Sequence, residues 1–193
     1  MIYLAVSPFC PYCYANDRIL EQEIPTLDDN DITIIPHLLT PDLVDYDEIL
    51  YNSAISAYKK HALPYLEKKN LFNSKPYKYE NVLTSKLVFL SYYYLREFNL
   101  GLQFYHEVTR RFWESDFNFG ILENLALIVK DFGLNVDDYK IHYDDLAYQE
   151  QYDKYLQMHD DYDVDTVPTY IFEDEMIAGA GSAIKKVKEI TKK

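Results

Sequence analysis

Residues 2 to 13 read Ile2-Tyr3-Leu4-Ala5-Val6-Ser7-Pro8-Phe9-Cys10-Pro11-Tyr12-Cys13. An apolar run stopped by Ser7 and Pro8 has the length and punctuation of a buried strand entering a turn. Pro11 has no N–H to donate, which suits it to the first turn of a helix, and Ala15 to Glu23 supplies helix formers with Ile19 and Leu20 at inward positions. That places Cys10 at a helix N-terminus. Downstream, the β-branched run Ile32-Thr33-Ile34-Ile35, closed by Pro36, predicts a second strand. The order is strand, Cys-x-x-Cys, helix, strand.

Cys10 and Cys13 are the two cysteines of the chain. A structural zinc site needs four ligands, and His37, His61, His106, His142 and His159 are scattered, so no metal site is expected. Where thiols are kept reduced, a single Cys-x-x-Cys points to catalysis or redox sensing rather than a structural staple. Thiol–disulfide exchange requires a thiolate, and a helix N-terminus offers both a positive dipole end and free N–H groups to stabilise one. Cys10 is therefore the candidate nucleophile. Cys13, one helical turn on, is the candidate resolving thiol that would attack a mixed disulfide.

Of the 193 residues, 48% are hydrophobic and 16% aromatic, enough to bury a core and to exclude a disordered chain. The formal net charge of −13 repels both a phosphate backbone and an anionic bilayer, so neither nucleic acid nor membrane is an expected partner. The first residues lack the basic and apolar regions of an export signal, and no apolar run is long enough to span a membrane. A cytosolic protein is expected.

From about Pro41 to Asp163 the hydrophobic period is helical. Helices are predicted near Asp47 to Lys69, bent or split at Pro64, and then near Glu80 to Phe98 and Leu102 to Trp113. Two more follow, near Ile121 to Phe132, closed by Gly133, and from about Tyr143 to His159. Thr169 to Phe172 and Met176 to Ala178 read as a hairpin, and Ile184, Val187 and Ile190 mark a last amphipathic helix. Most of the 20 Tyr and 10 Phe fall at helical spacing with aliphatic residues and are expected in the core.

A β-α-β unit and a β-β-α unit around an all-helical block is an α/β arrangement of thioredoxin-like type. The sequence resembles the DsbA-like branch of that fold, with its FrnE and 2-hydroxychromene-2-carboxylate isomerase relatives. The resemblance rests on three runs: Ser7 to Cys13, Ile35-Pro36-His37-Leu38-Leu39-Thr40-Pro41-Asp42, and Thr166-Val167-Pro168-Thr169. It implies a thioredoxin-like domain of residues 1–40 and 164–193 and a helical insertion domain of residues 41–163. Gly101 to Phe104, Arg111-Phe112-Trp113 and Gly133 to Tyr139 also look like the insertion of the YjbH (SpxH) adaptors, which hand the regulator Spx to the protease ClpXP.

Carried onto this sequence, the resemblance makes Cys10 and Cys13 catalytic and assigns substrate binding to Pro11, Tyr12, Thr166, Val167 and Pro168. The proline after Thr166-Val167 is cis in the resembled fold and faces the cysteines, with Val167 turned outward to an extended peptide. No cofactor is implied. Glutathione is a candidate thiol partner, with Gly179, Gly181 and Ser182 where related proteins receive its carboxylate. The function implied is a cytosolic thiol–disulfide oxidoreductase or isomerase acting on a peptide or protein. Two alternatives stay open: a YjbH-type adaptor for an Spx-like regulator and ClpXP, and a glutathione-dependent isomerase or transferase. The 14 acidic residues and two lysines between Asp131 and Glu175 read as a solvated face or a partner surface beside Pro168.

Overall fold

The computed structural model describes residues 1–38, 56, 59–60, 63–68, 84–115 and 117–191. Strand β1 (Ile2–Val6) leads through a turn into helix α1 (Pro11–Glu23), and β2 (Ile32–Pro36) follows. The helical stretch contributes α2 (Leu63–Lys68), α3 (Lys86–Arg96), α4 (Gly101–Glu114), α5 (Leu122–Asp131), α6 (Val136–His142) and α7 (Leu146–Asp161). The chain returns as β3 (Thr169–Ile171), β4 (Met176–Ala178) and α8 (Gly181–Thr191). Most of the helix expected over Asp47 to Lys69, the start of the one expected from Glu80, and Leu39 to Asp42 lie outside the described residues.

The sheet order is β2-β1-β3-β4. β1 runs parallel to β2, with Ile2 opposite Ile32 and Val6 opposite Pro36, and antiparallel to β3, with Leu4 opposite Tyr170. β3 and β4 form the expected hairpin, Tyr170 facing Ile177. β1 is a central strand, which explains its apolar run: Ile2, Leu4, Ala5 and Val6 are all buried. β2 would expose an unpaired edge, but α3 covers it. The Ile34 N–H donates to Tyr92 Oη at 2.9 Å, and Tyr93 Oη donates to the Ile34 carbonyl at 3.4 Å. Two tyrosines thus satisfy backbone groups that an edge strand leaves open. The expected aromatic core is present, with Tyr92, Tyr93, Tyr105, Tyr139, Phe89, Phe104, Phe112 and Trp113 buried in one cluster with the sheet.

The helix expected from Tyr143 to His159 proves to be preceded by a separate short one. Asn135 caps α6 by accepting the N–H groups of Asp137 and Asp138 at 2.9 and 3.3 Å, and a second start follows at Asp145. Tyr139 is the one buried residue of α6, too little for a period to show.

Helix α4 is capped from a distant loop. Asp29, 5% exposed, accepts the N–H groups of Gly101 and Leu102 at 2.7 and 2.9 Å. A Cβ at Gly101 would lie 2.5 Å from Arg96 Cγ and 2.9 Å from both Asp29 Oδ1 and the Tyr92 carbonyl. Because a carbonyl cannot move aside, Gly101→Ala is expected to destabilise the fold by about 1–3 kcal/mol in denaturant titration. Unchanged stability would mean that the α3–α4 junction is looser than its contacts state.

Candidate active site

The turn between β1 and α1 is held from several directions. The Cys10 N–H donates to the Ser7 carbonyl at 3.0 Å, and the Phe9 N–H to Ser7 Oγ at 3.4 Å. From α4, Trp113 Nε1 donates to the Pro8 carbonyl at 3.1 Å, while the Phe9 ring packs on Phe112 and Phe119. Tyr14 stacks on Trp113 and donates to Glu114 Oε1 at 2.6 Å. The helices between β2 and β3 thereby fix the loop that carries the cysteines.

Cys10 is the N-cap of α1, with extended backbone, and its sulfur accepts the Cys13 N–H at 3.4 Å. Both thiols are unbridged; Cys10 keeps 5% of its surface exposed and Cys13 none. A hydrogen bond from the Cys13 thiol, against the cost of burial and with help from the N–H groups of Cys13 and Tyr12, holds Cys10 below the usual thiol range. Cys13 goes the other way. Burial pushes it well above that range, and its bond to Cys10, the Cys10 charge and the Asp17 carboxylate add to the effect. Of the two residues between them, Pro11 is half-buried and Tyr12 is 41% exposed, on the surface beside Cys10.

Residues 164–168 arrive at the same end of the sheet. Asp163 adopts φ 51°, a left-handed conformation that Asp tolerates, and turns the chain out of α7. The Val167–Pro168 peptide is cis. The Val167 carbonyl lies 3.7 Å from Cys10 Sγ, close enough to accept from the protonated thiol. The carbonyl of Val167 thus faces the Cys10 thiol. The Val167 N–H makes no hydrogen bond among the described residues. Thr166 is exposed, and its carbonyl accepts from Thr169 Oγ1 at 2.7 Å. Gly179, at φ 81°, donates to the Pro168 carbonyl at 2.8 Å, so the start of α8, with Gly181 and the exposed Ser182, is tied to the same loop.

A buried polar network one turn below Cys13 is absent from the sequence reading. Asp17 Oδ1 meets His106 Nδ1 at 2.6 Å, while its Oδ2 accepts from Thr109 Oγ1 at 2.5 Å and from Arg18 at 2.8 Å. Arg18 also donates to the His106 carbonyl at 2.7 Å and pairs with Glu21. Burial alone would raise the Asp17 carboxyl; His106, Arg18 and Thr109 together hold it well below the usual carboxylate range. The available signal was an Asp four residues after Cys13 on the inward face of a helix. Its partners on α4 were not legible. Among the described residues, no group of three His, Cys, Asp or Glu could hold a metal ion.

A second brace joins α7 to β2 near the same sheet end. His37 Nδ1 and His159 Nε2 are 2.6 Å apart, and the His37 N–H donates to the Val6 carbonyl at 2.9 Å. Burial and the neighbouring His159, opposed by Asp165, lower His37 to about 4. A base whose folded value is depressed binds fewer protons folded than unfolded below its ordinary value of about 6.5. Stability should therefore fall as pH drops from about 6.5 toward 4. Thermal melts should show this loss, reduced in His37→Gln; equal slopes in the two proteins would remove His37 as its source.

Comparison with known proteins decides the family. The DSBA-like thioredoxin domain family matches residues 6–189. The chain belongs to this family. The uncharacterized protein YwbO of Bacillus subtilis is 25% identical over 177 residues, covering 89% of this chain and 86% of YwbO. A 2-hydroxychromene-2-carboxylate isomerase structure superposes with a TM-score of 0.70 at 16% identity, over 98% of this chain and 93% of the isomerase. A probable DsbA oxidoreductase from Streptomyces coelicolor gives 0.71 at 13% identity, over 98% and 88%. The cytosolic disulfide reductase DsbM from Pseudomonas aeruginosa, solved with GSH, gives 0.70 at 11%, over 98% and 96%. These structural likenesses establish the DsbA-like fold, a thioredoxin-like core with a large helical insertion. No helix among the described residues is long and apolar enough to cross a membrane.

Proposed function

We propose that this DSBA-like protein is a cytosolic thiol–disulfide oxidoreductase in which Cys10 is the nucleophile and Cys13 the resolving thiol. The observation that carries the reading is the opposed setting of the two sulfurs. Cys10 caps a helix and accepts hydrogen bonds, whereas Cys13 is sealed beneath it and donates one. The Cys10 thiolate attacks a substrate disulfide, forming a mixed disulfide and releasing the first substrate thiolate, which takes a proton from solvent. Cys13 then gives up its proton and attacks the Cys10 sulfur, closing the Cys10–Cys13 disulfide and expelling the second substrate thiol.

Under this reading the Val167 N–H pairs with an extended peptide laid across the sheet end. Pro168 shapes that loop, Thr166 borders it, and Tyr12 with Pro11 forms the opposite wall. Exposed Asp163 and Asp165 next to Val167 favour basic or neutral peptides over acidic ones. Glutathione is the second candidate partner, supported by the tie from Gly179 to Pro168 and by the GSH bound to DsbM.

Lysate capture tests the reading. Cys13→Ser protein should hold clients that a reductant releases, and the Cys10→Ser, Cys13→Ser double variant should hold none of them. Clients retained equally by the double variant would contradict it and favour an adaptor of the YjbH kind.

A further inference from the structure

The contact between His37 and His159 takes no part in the exchange steps, yet it joins the two segments that carry the reacting groups. His37 follows β2 and donates its N–H to the Val6 carbonyl at 2.9 Å, and Val6 leads into Ser7, which accepts the N–H groups of Phe9 and Cys10. His159 stands in the last turn of α7, and its carbonyl accepts the Val164 N–H at 3.3 Å. Val164 is 6% exposed and packs with Ala5, Ile35 and Ile171 of the sheet, with Val167 against the same cluster. One imidazole is thus anchored to the strand before Cys10, and the other to the segment before Val167.

The chemistry of the pair is restrictive. His37 Nδ1 and His159 Nε2 are 2.6 Å apart, with ring centroids at 4.7 Å, which leaves room for one hydrogen between the nitrogens. Asp160 Oδ1 lies 3.1 Å from His159 Nδ1, and a carboxylate only accepts, so that nitrogen carries a hydrogen. Neutral His159 then presents a lone pair at Nε2, and His37 Nδ1 donates to it. A proton added at His37 Nε2 leaves this bond in place. A second, at His159 Nε2, does not: two N–H bonds cannot point at one another over that distance, and two like charges would meet at close range. The charges that bear on His37 come from His159 across the contact and from Asp165 in the segment before Val167, while Asp160 touches His159 from its own helix. Burial and His159 oppose a proton on His37, and Asp165 favours one.

We propose that His37 and His159 are positioning residues that form a proton-operated latch. With one hydrogen between them they hold residues 164–168 against the Cys10 turn; with both rings protonated they part and let that segment move away. The consequence for substrate, weaker docking of a peptide beside Val167 in acid, rests on the oxidoreductase reading. The latch itself does not.

Amide hydrogen exchange, corrected for the intrinsic effect of pH on its rate, reads the latch without any turnover. Between pH 7 and pH 4 the protection of Val164 should fall about tenfold more than that of Phe104, whose N–H is bonded to the Leu100 carbonyl in α4. In His159→Gln the side-chain oxygen accepts from His37 whether that ring is neutral or charged, so the extra loss should vanish. His159→Phe keeps a ring but no acceptor, and Val164 should be weakly protected at both pH values. No extra acid loss in the parent protein, or the same loss in His159→Gln, would overturn the latch. Its effect on the site is read from the rate of Cys10 with the pyridyl disulfide of a cysteine peptide, divided by the rate with dithiodipyridine, which has no peptide to dock. This ratio should fall about tenfold toward pH 4 in the parent protein and stay level in His159→Gln. A level ratio in the parent protein would overturn the coupling of the latch to the site. Failure of Cys10 to react with either disulfide would instead overturn the oxidoreductase reading, while the exchange result still decides the latch.

Discussion

Cys10→Ser is expected to lower disulfide-exchange turnover by roughly a thousandfold or more, since a serine hydroxyl supplies no comparable anion near neutral pH. Cys13→Ser should differ in kind. The nucleophile at the helix start remains, so the first attack proceeds and the protein accumulates as a mixed disulfide through Cys10. Both effects are read from the same assay, substrate turnover followed by non-reducing mass spectrometry of the protein. The fold should persist in both variants, because each replacement differs by one atom and the serine hydroxyl of Cys10→Ser can still accept the Cys13 N–H. Turnover retained by Cys10→Ser, or a mixed disulfide accumulating on Cys13, would reverse the assigned roles.

The second large effect is on stability. Asp17 is the hub of a network joining α1 to α4, with His106, Thr109 and Arg18 all on its carboxylate. Removing it leaves the Arg18 guanidinium, whose side chain is 8% exposed, without its buried counter-charge. Breaking one partner of a buried pair typically costs about 3–5 kcal/mol, so Asp17→Ala should show a loss of that order in denaturant unfolding. The pH dependence carries a sign as well. A carboxyl held below its unfolded value of about 3.9 contributes stability that is complete above that pH and is lost as pH falls through the folded value. Asp17→Ala should therefore be less stable at neutral pH and less sensitive to acid below about pH 4. If its acid limb matches the parent protein, another carboxylate governs acid unfolding.

These two variants also separate what the sequence displays from what it hides. The Cys-x-x-Cys was legible because its meaning is local: a strand stop, a cysteine, a proline tolerated at a helix start, and a second cysteine one turn on. The sheet was legible for the same reason, since the apolar runs at Ile2 and Ile32 and the late hairpin each carry their own period. Asp17 was not, because its partners stand about ninety residues away on α4, and no period within α1 distinguishes a paired buried carboxylate from a solvated one. The Asp29 cap of α4 has the same character, its partners Gly101 and Leu102 lying far along the chain. Helix α6 was missed for a different reason, since one buried residue makes no pattern. The inward turn of the Val167 carbonyl onto the Cys10 sulfur is a tertiary fact that the Thr-Val-Pro-Thr run does not encode.

The opposed ionisation of two sulfurs one helical turn apart underlies the proposed exchange chemistry. Its most direct test is the alkylation rate of each cysteine in the reduced, folded protein as a function of pH, with peptides carrying Cys10 and Cys13 quantified separately by mass spectrometry. Cys10 should be labelled first, with a midpoint below the ordinary thiol value, and Cys13 should stay unlabelled until well above it. Equal labelling of the two thiols across the pH range, or earlier labelling of Cys13, would contradict the assignment of Cys10 as nucleophile and the function built on it.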